Sequence, residues 1–145
     1  MRNGYGKTAV VAMLLLMASV PSQAGIDPSQ VLVGRWEGDV QMAGGTYPRT
    51  LVIRSVQAGA PPRGVEAEYG GTGNDYGGVA PVPAPVNLVL EAYGNDVILR
   101  FRTPEAYPVE LTLSRDRRHL YGAMHISISR GAAWGINPVR LTKVE

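Results

Sequence analysis

Apolar and polar residues alternate with a period of two in short runs that recur along residues 33–144. In the clearest run, residues 33–42, one side of an extended chain carries Trp36, Gly38, Val40 and Met42, and the other side is charged or polar. Such alternation is typical of a strand with one buried and one solvated face. The chain shows no amphipathic helical stretch. It is therefore predicted to consist of strands and turns, with further runs at residues 49–57, 64–69, 86–92, 97–102, 109–114, 119–128 and 136–144.

Glycine and proline separate these runs and indicate tight connections. The pair Gly94-Asn95 favours the positive φ of a two-residue hairpin. Residues 70–85 are interpreted as a glycine-rich loop, and their prolines, Pro81, Pro83 and Pro85, cannot donate to a central ladder. Seven or eight antiparallel strands joined by short hairpins favour an all-β, up-and-down barrel of about eight strands, because closure removes exposed edges. A β-sandwich is the alternative.

Residues 1–24 have the features of a cleavable signal peptide. Arg2 and Lys7 precede an uncharged apolar run, and Ser22 and Ala24 place small residues at the −3 and −1 positions of a cleavage site. The apolar run is shorter than the roughly 20 residues that a membrane-spanning helix needs. The chain is thus predicted to comprise a leader, residues 1–24, and one barrel domain, residues 25–145. The mature protein is expected to be periplasmic or secreted, with no membrane span.

Sequencing the N-terminus of the exported protein tests this interpretation. We expect the mature chain to begin at Gly25, directly after the small-residue motif. A protein that keeps Met1 and stays in the membrane would contradict the leader.

Charge and cysteine content exclude several classes of function. Arg2 and Lys7 account for the whole net charge of +2, so the remaining chain is neutral and no nucleic-acid partner is predicted. The absence of cysteine excludes a disulfide scaffold, a thiolate metal site and a cysteine nucleophile. The 121 residues left when the leader is removed from the 145 suit a single domain.

The residues that could carry chemistry do not form a catalytic pattern. His119 and His125 are six positions apart on one strand, about 20 Å at roughly 3.3 Å per residue, so they cannot bind one metal ion. Glu66 and Glu68 share a strand face, which is more often an exposed pair than an acid–base pair. The glycine-rich loop lacks the Lys-Ser/Thr ending of a phosphate-binding loop. The protein is therefore expected not to be an enzyme, and no metal site or cofactor is predicted.

The motif Gly34-Arg35-Trp36-Glu37-Gly38 resembles the Gly-x-Trp opening of the calycins, the lipocalin and avidin kind of small barrel. It is also similar to the start of lipocalin-like domains in secreted bacterial proteins, which share a late Leu-x-Gly like Leu120-Tyr121-Gly122. The resemblance covers roughly residues 33–144. It implies that Trp36 plugs one end of the barrel and that Arg140, on the last strand, lies across its ring.

Two features depart from the lipocalin pattern. The string Asn74-Asp75-Tyr76 comes too early to match the late Thr-Asp-Tyr turn of that family, and the sequence given ends at Glu145 without the usual following helix. The resemblance therefore implies the barrel more directly than the ligand.

A non-enzymatic binding or accessory protein is the favoured function, with a small apolar ligand inside the barrel. The alternative is a protein-interaction module, such as an inhibitor or immunity partner, that uses its outer face and loops. A lumen filled by its own side chains would remove the carrier function, whereas Gly38 and Gly122 are expected to leave space for a ligand. The predicted ligand-binding residues are Leu88, Leu90, Leu99, Phe101, Leu111, Leu113 and Met124, with Ile126 beside them and with Tyr69 and Tyr76 as a lid.

Overall fold

The computed structural model describes Gly25 and residues 27–71, 83–127 and 134–144. The predicted leader and the predicted lid residue Tyr76 lie outside these ranges. The described residues form one short helix and eight strands. The elements are α1 (Pro28–Leu32), β1 (Gly34–Met42), β2 (Gly45–Val56), β3 (Arg63–Gly70), β4 (Ala84–Tyr93), β5 (Asp96–Arg102), β6 (Pro108–Leu113), β7 (His119–Ser127) and β8 (Trp134–Lys143).

The eight strands form a closed antiparallel barrel in which each strand pairs with the next. Strand β8 closes the sheet by pairing with β1, from Trp36 opposite Lys143 to Val40 opposite Val139. The predicted up-and-down barrel is confirmed. The sandwich alternative is wrong, because one continuous sheet closes on itself.

The period-two pattern predicts correctly which side chains point inward. In strands β4 to β7 the inward positions are nearly all large and aliphatic or aromatic, and each of these is at most 9% exposed. They join into one cluster that runs through the barrel. The members from these four strands are Val86, Leu88, Leu90, Val97, Leu99, Phe101, Val109, Leu111, Leu113, Leu120, Met124 and Ile126.

Different elements lie at the two ends of the barrel, which we call the lower and the upper end. At the lower end, α1 precedes β1, and the hairpin turn at Gly94-Asn95 joins β4 to β5 with Tyr93 opposite Asp96. Gly94 has a φ of 62°, as the predicted hairpin requires. At the upper end lie the turn between β1 and β2, the start of β4 and the connection between β5 and β6, residues 103–107.

Helix α1 is an element that the alternation did not predict. Asp27 caps it by accepting a hydrogen bond from the Ser29 N–H at 3.0 Å, and Pro28 occupies its first turn. Leu32 is fully buried at the foot of the barrel. The helix thus covers the lower end. Within the described ranges, no helix is long and apolar enough to cross a bilayer.

Trp36 is fully buried, as predicted, but its cationic neighbour is Lys143 and not Arg140. The Lys143 Nζ lies 5.5 Å from the centroid of the indole ring and donates to the Val31 carbonyl at 2.6 Å. The Trp36 Nε1–H donates to the Leu32 carbonyl at 2.9 Å, so the indole also fastens α1. Arg140 pairs with Asp39 on the outer face and is exposed. The prediction for Arg140 is wrong.

Gly38 and Gly122 allow the close approach of an adjacent strand and do not open a cavity. A Cβ on Gly38 would lie 1.9 Å from the Arg140 carbonyl oxygen, and one on Gly122 would lie 1.9 Å from the Glu110 carbonyl oxygen. The space that a side chain would need is occupied by the main chain of the adjacent strand. The expectation that these glycines leave room for a ligand is therefore wrong.

Candidate binding cleft in the barrel wall

Strands β4 and β5 separate before they reach the upper end of the barrel. Their pairing runs from Tyr93 opposite Asp96 to Val89 opposite Arg100 and ends there. The upper part of β4 remains paired with β3 as far as Ala84, and the end of β5 remains paired with β6. Pro85, which has no N–H to donate, lies in the part of β4 that lacks β5 as a neighbour.

A cleft of about 760 Å³ lies where the two strands part. Its volume is in the range of small-molecule sites, about 300–1,000 Å³. The lining comes from β4, β5, the 103–107 connection, β6 and one residue of β7. We call it the wall cleft.

The wall cleft is apolar at its base and polar at its rim. The inward-facing side chains of Val86, Phe101 and Val109 contribute to the lining and are otherwise buried. The outward-facing lining residues of the strands include Pro85 and Pro108, and the others are polar: Asn87, Arg100, Arg102, Glu110 and His125.

Ion pairs hold part of the rim in place. The Arg100 Nε donates to the Glu110 carboxylate at 2.7 Å, and the Arg100 Nη1 donates to Glu91. The hydrogen bonds that Arg100 donates to Glu110, first, and to Glu91 keep the pKa of Arg100 above its ordinary value. Arg100 is therefore a charged residue that already has two carboxylate partners.

The 103–107 connection forms the upper border of the wall cleft. The Thr103 side chain is buried, and its Oγ1 accepts a hydrogen bond from the Tyr107 N–H at 3.1 Å. The Thr103 N–H donates to the Tyr107 carbonyl at 2.9 Å, and the Arg102 Nη1 donates to the Ala106 carbonyl at 2.9 Å. These bonds fix the border as a small turn.

The predicted ligand-binding residues fall into three groups. Phe101 lines the wall cleft. Tyr76 lies outside the described residues. The others are core members at most 5% exposed, and the lining of the wall cleft does not include them: Leu88, Leu90, Leu99, Leu111, Leu113, Met124, Ile126 and Tyr69.

Tyr69, expected at a lid, packs inside the upper barrel. Its ring meets the Phe101 ring edge to face, with centroids 5.0 Å apart. Its hydroxyl is buried, and the Arg49 guanidinium is the cationic group near it. Arg49, another inward-facing residue, is only 4% exposed and donates from Nη1 to the Pro48 carbonyl at 2.9 Å. The upper barrel therefore contains two inward-facing polar side chains, Tyr69 and Arg49.

Burial raises the pKa of Tyr69 to about 12, although the nearby Arg49 guanidinium acts in the opposite direction. Between pH 10 and 12 the unfolded state ionises this tyrosine while the folded state keeps it neutral, so stability falls as pH rises through this window. We expect the wild type to lose about 2 kcal/mol more than Tyr69→Phe between pH 9 and pH 12. Urea unfolding of both proteins measures this, and equal pH dependence would contradict it.

Ser114, Asp116 and His119 meet in the β6–β7 turn but lack the order of a catalytic triad. The His119 Nδ1 lies 3.0 Å from an Asp116 oxygen, whereas the Ser114 hydroxyl donates to the same carboxylate and not to the histidine. The Ser114 hydroxyl, first, and the Arg118 N–H hold the pKa of Asp116 below its usual value. This arrangement stabilises a turn and does not activate the serine.

The other sequence candidates bind their neighbours in the sheet. Glu66 accepts from the Ser55 hydroxyl at 3.2 Å, and Glu68 pairs with Arg54 at 3.0 Å. His125 lines the wall cleft, far along β7 from His119. No cluster of three or more histidine or acidic side chains suited to a metal ion occurs among the residues that the structure describes.

Most of the wall cleft could not be predicted from the sequence. Alternation identifies inward-facing residues such as Phe101, whereas Asn87, Arg102 and His125 face outward. Pro85 was the available signal, since a proline within a strand indicates an unpaired edge.

Comparison with protein-family models, with characterised proteins and with solved structures found no match.

Proposed function

We propose that this domain is an exported, non-enzymatic binding protein whose ligand is a small molecule with an apolar body. The supporting observation is the separation of β4 from β5, which leaves the inward-facing Phe101 at the base of an open cleft of about 760 Å³. The ligand lies against Phe101 and the neighbouring valines, with its polar parts at the rim. The wall cleft, and not the centre of the barrel, is the binding site in this proposal.

The position of the site follows from the packing of the barrel. The inward-facing leucines of β4, β5 and β6 are each at most 5% exposed and belong to one cluster. A ligand among them would have to displace well-packed side chains, which costs free energy. A ligand in the wall cleft displaces only solvent. The calycin resemblance agrees with a binding function.

A titration with N-phenyl-1-naphthylamine, an uncharged fluorescent probe, tests the proposal. We expect the wild type to bind the probe. Asn87→Trp should weaken binding by about tenfold or more, equivalent to about 1.4 kcal/mol, because the indole fills the cleft. Asn87 is exposed, so the substitution does not disturb the core.

Gln41→Trp is the matched control. Gln41 is also an exposed amide residue on a strand, but it lies outside the wall cleft. This variant should bind as the wild type does. Undiminished binding by Asn87→Trp, or no binding by the wild type, would contradict the proposal.

A protein-interaction module is the second candidate, and an exposed tyrosine beside a second cleft, in strands β1, β7 and β8, favours it. Tyr121 is 50% exposed and borders a smaller cleft of about 320 Å³ together with Asp39 and Arg140. Tyrosine and arginine are enriched among the residues that dominate protein interfaces.

A photo-crosslinking residue at position 121 should yield one discrete adduct in the producing cells. The same residue in place of Tyr93, which is 61% exposed, should not. Identical adducts from both positions would count against an interface.

A further inference from the structure

The two arginines of the wall cleft, Arg100 and Arg102, have different partners. Glu110 is bound by Arg100, which also binds Glu91. Arg102 differs, because within the described residues it contacts no carboxylate and its hydrogen bond goes to the Ala106 carbonyl. A guanidinium has five N–H donors, and it pairs well with carboxylate and phosphate oxygens. Arg102 therefore places at the rim a guanidinium that contacts no carboxylate among the described residues and keeps N–H donors for a ligand.

Arg102 lies next to Phe101, the aromatic residue at the apolar base of the wall cleft. Arg102 directly follows Phe101 at the end of β5, so the two side chains leave the strand on opposite faces. Both line the wall cleft because β4 is not paired with this part of β5. A molecule that rests on Phe101 thus has Arg102 within the same cleft. The cleft combines one apolar surface with one cationic edge.

We propose that the ligand of the wall cleft is an amphiphile with an acid group. Its hydrocarbon part lies on Phe101 and Val86, and its acid group pairs with the Arg102 guanidinium. This inference rests on the proposed function, and it adds the chemical class of the ligand. A carboxylate and a phosphate monoester share the necessary chemistry, so the experiment compares both.

Calorimetric titrations with decanoate, decyl phosphate and decanol at pH 7.4 test the inference. These probes share a ten-carbon chain and differ in the head group. A solvated ion pair contributes up to about 1 kcal/mol, so we expect the favoured acid to bind about fivefold more tightly than decanol. The acid that binds more tightly indicates whether the natural head group is a carboxylate or a phosphate.

Variants at position 102 separate charge from shape. Arg102→Gln should bring the affinity for the acid down to that for decanol, since the amide can still donate to the Ala106 carbonyl but carries no charge. Arg102→Lys should keep most of the preference. Arg54→Gln is the control, because Arg54 is an exposed strand arginine outside the wall cleft. Thermal unfolding of each variant verifies that it is folded.

The outcomes distinguish this inference from the proposed function. Equal affinity for all three probes would overturn the acid group and leave the wall cleft as a binding site. A preference for acid that survives in Arg102→Gln would overturn the role of Arg102. Failure of every probe to bind would remove both proposals.

Discussion

Replacing Trp36 by alanine is expected to lower the free energy of unfolding by about 3–5 kcal/mol, as for other large aromatic side chains in cores. The indole is fully buried, and its Nε1–H bond to the Leu32 carbonyl is lost with it. Lys143 also loses the ring beneath its charge. Because small domains are stable by only about 5–15 kcal/mol, this one change removes a large fraction of the total. Urea unfolding followed by circular dichroism measures it.

Tyr93→Ala is the control for the loss of an aromatic side chain. Tyr93 is 61% exposed at the lower end, so its removal should change stability by no more than about 0.5 kcal/mol. A similarly small change for Trp36→Ala would mean that the indole does not support the barrel.

Gly122→Ala is expected to destabilise the protein by about 3 kcal/mol, although it adds only one methyl group. The new Cβ would lie 1.9 Å from the Glu110 carbonyl oxygen. The obstacle is main chain in the adjacent strand, which a change of rotamer cannot move. Strands β6 and β7 would have to separate where Gly122 stands opposite Leu111. The shift of the urea midpoint measures the cost.

Gly135→Ala provides the matched control, because Gly135 is also a strand glycine. Its nearest atoms would lie 3.5 and 3.6 Å from an added Cβ, which is ordinary contact. The alanine should leave stability unchanged or raise it by up to about 1 kcal/mol, since it restricts the unfolded chain. Equal losses for the two variants would show that the close approach at Gly122 is not the cause.

Alternation was sufficient to predict strands β4 to β7, and the physical reason is simple. A shift of one residue would turn Leu88, Leu99 and Leu111 from the core to solvent, so the hydrophobic pattern determines the inward face. The same rule assigns Lys143 to the inside, because it lies two residues beyond the buried Leu141. It also assigns Arg140 to the outside. Arg140 was chosen from the family pattern. The register between β1 and β8 instead places Lys143 opposite Trp36 and Arg140 opposite Asp39.

Helix α1 and the wall cleft depend on features that periodicity does not contain. A five-residue helix is too short to show a 3.6-residue period. The only sequence signals for it are Asp27 as an N-cap residue and Pro28 in the first turn. The wall cleft depends on the position at which β4 leaves β5. That position follows from the stagger of the barrel and not from the in–out pattern of either strand.

The seam between β1 and β8 imposes an order on folding. The other seven pairings join consecutive strands and can form while the chain is incomplete, whereas this one unites the beginning and the end of the barrel. Contacts between distant segments carry a larger loop-closure entropy and form late. Until β8 arrives, β1 and β7 are both open edges that can pair with other molecules. The pairing of β8 with β1 thus completes the barrel. We expect the folding chain to be most prone to aggregation just before these two strands pair.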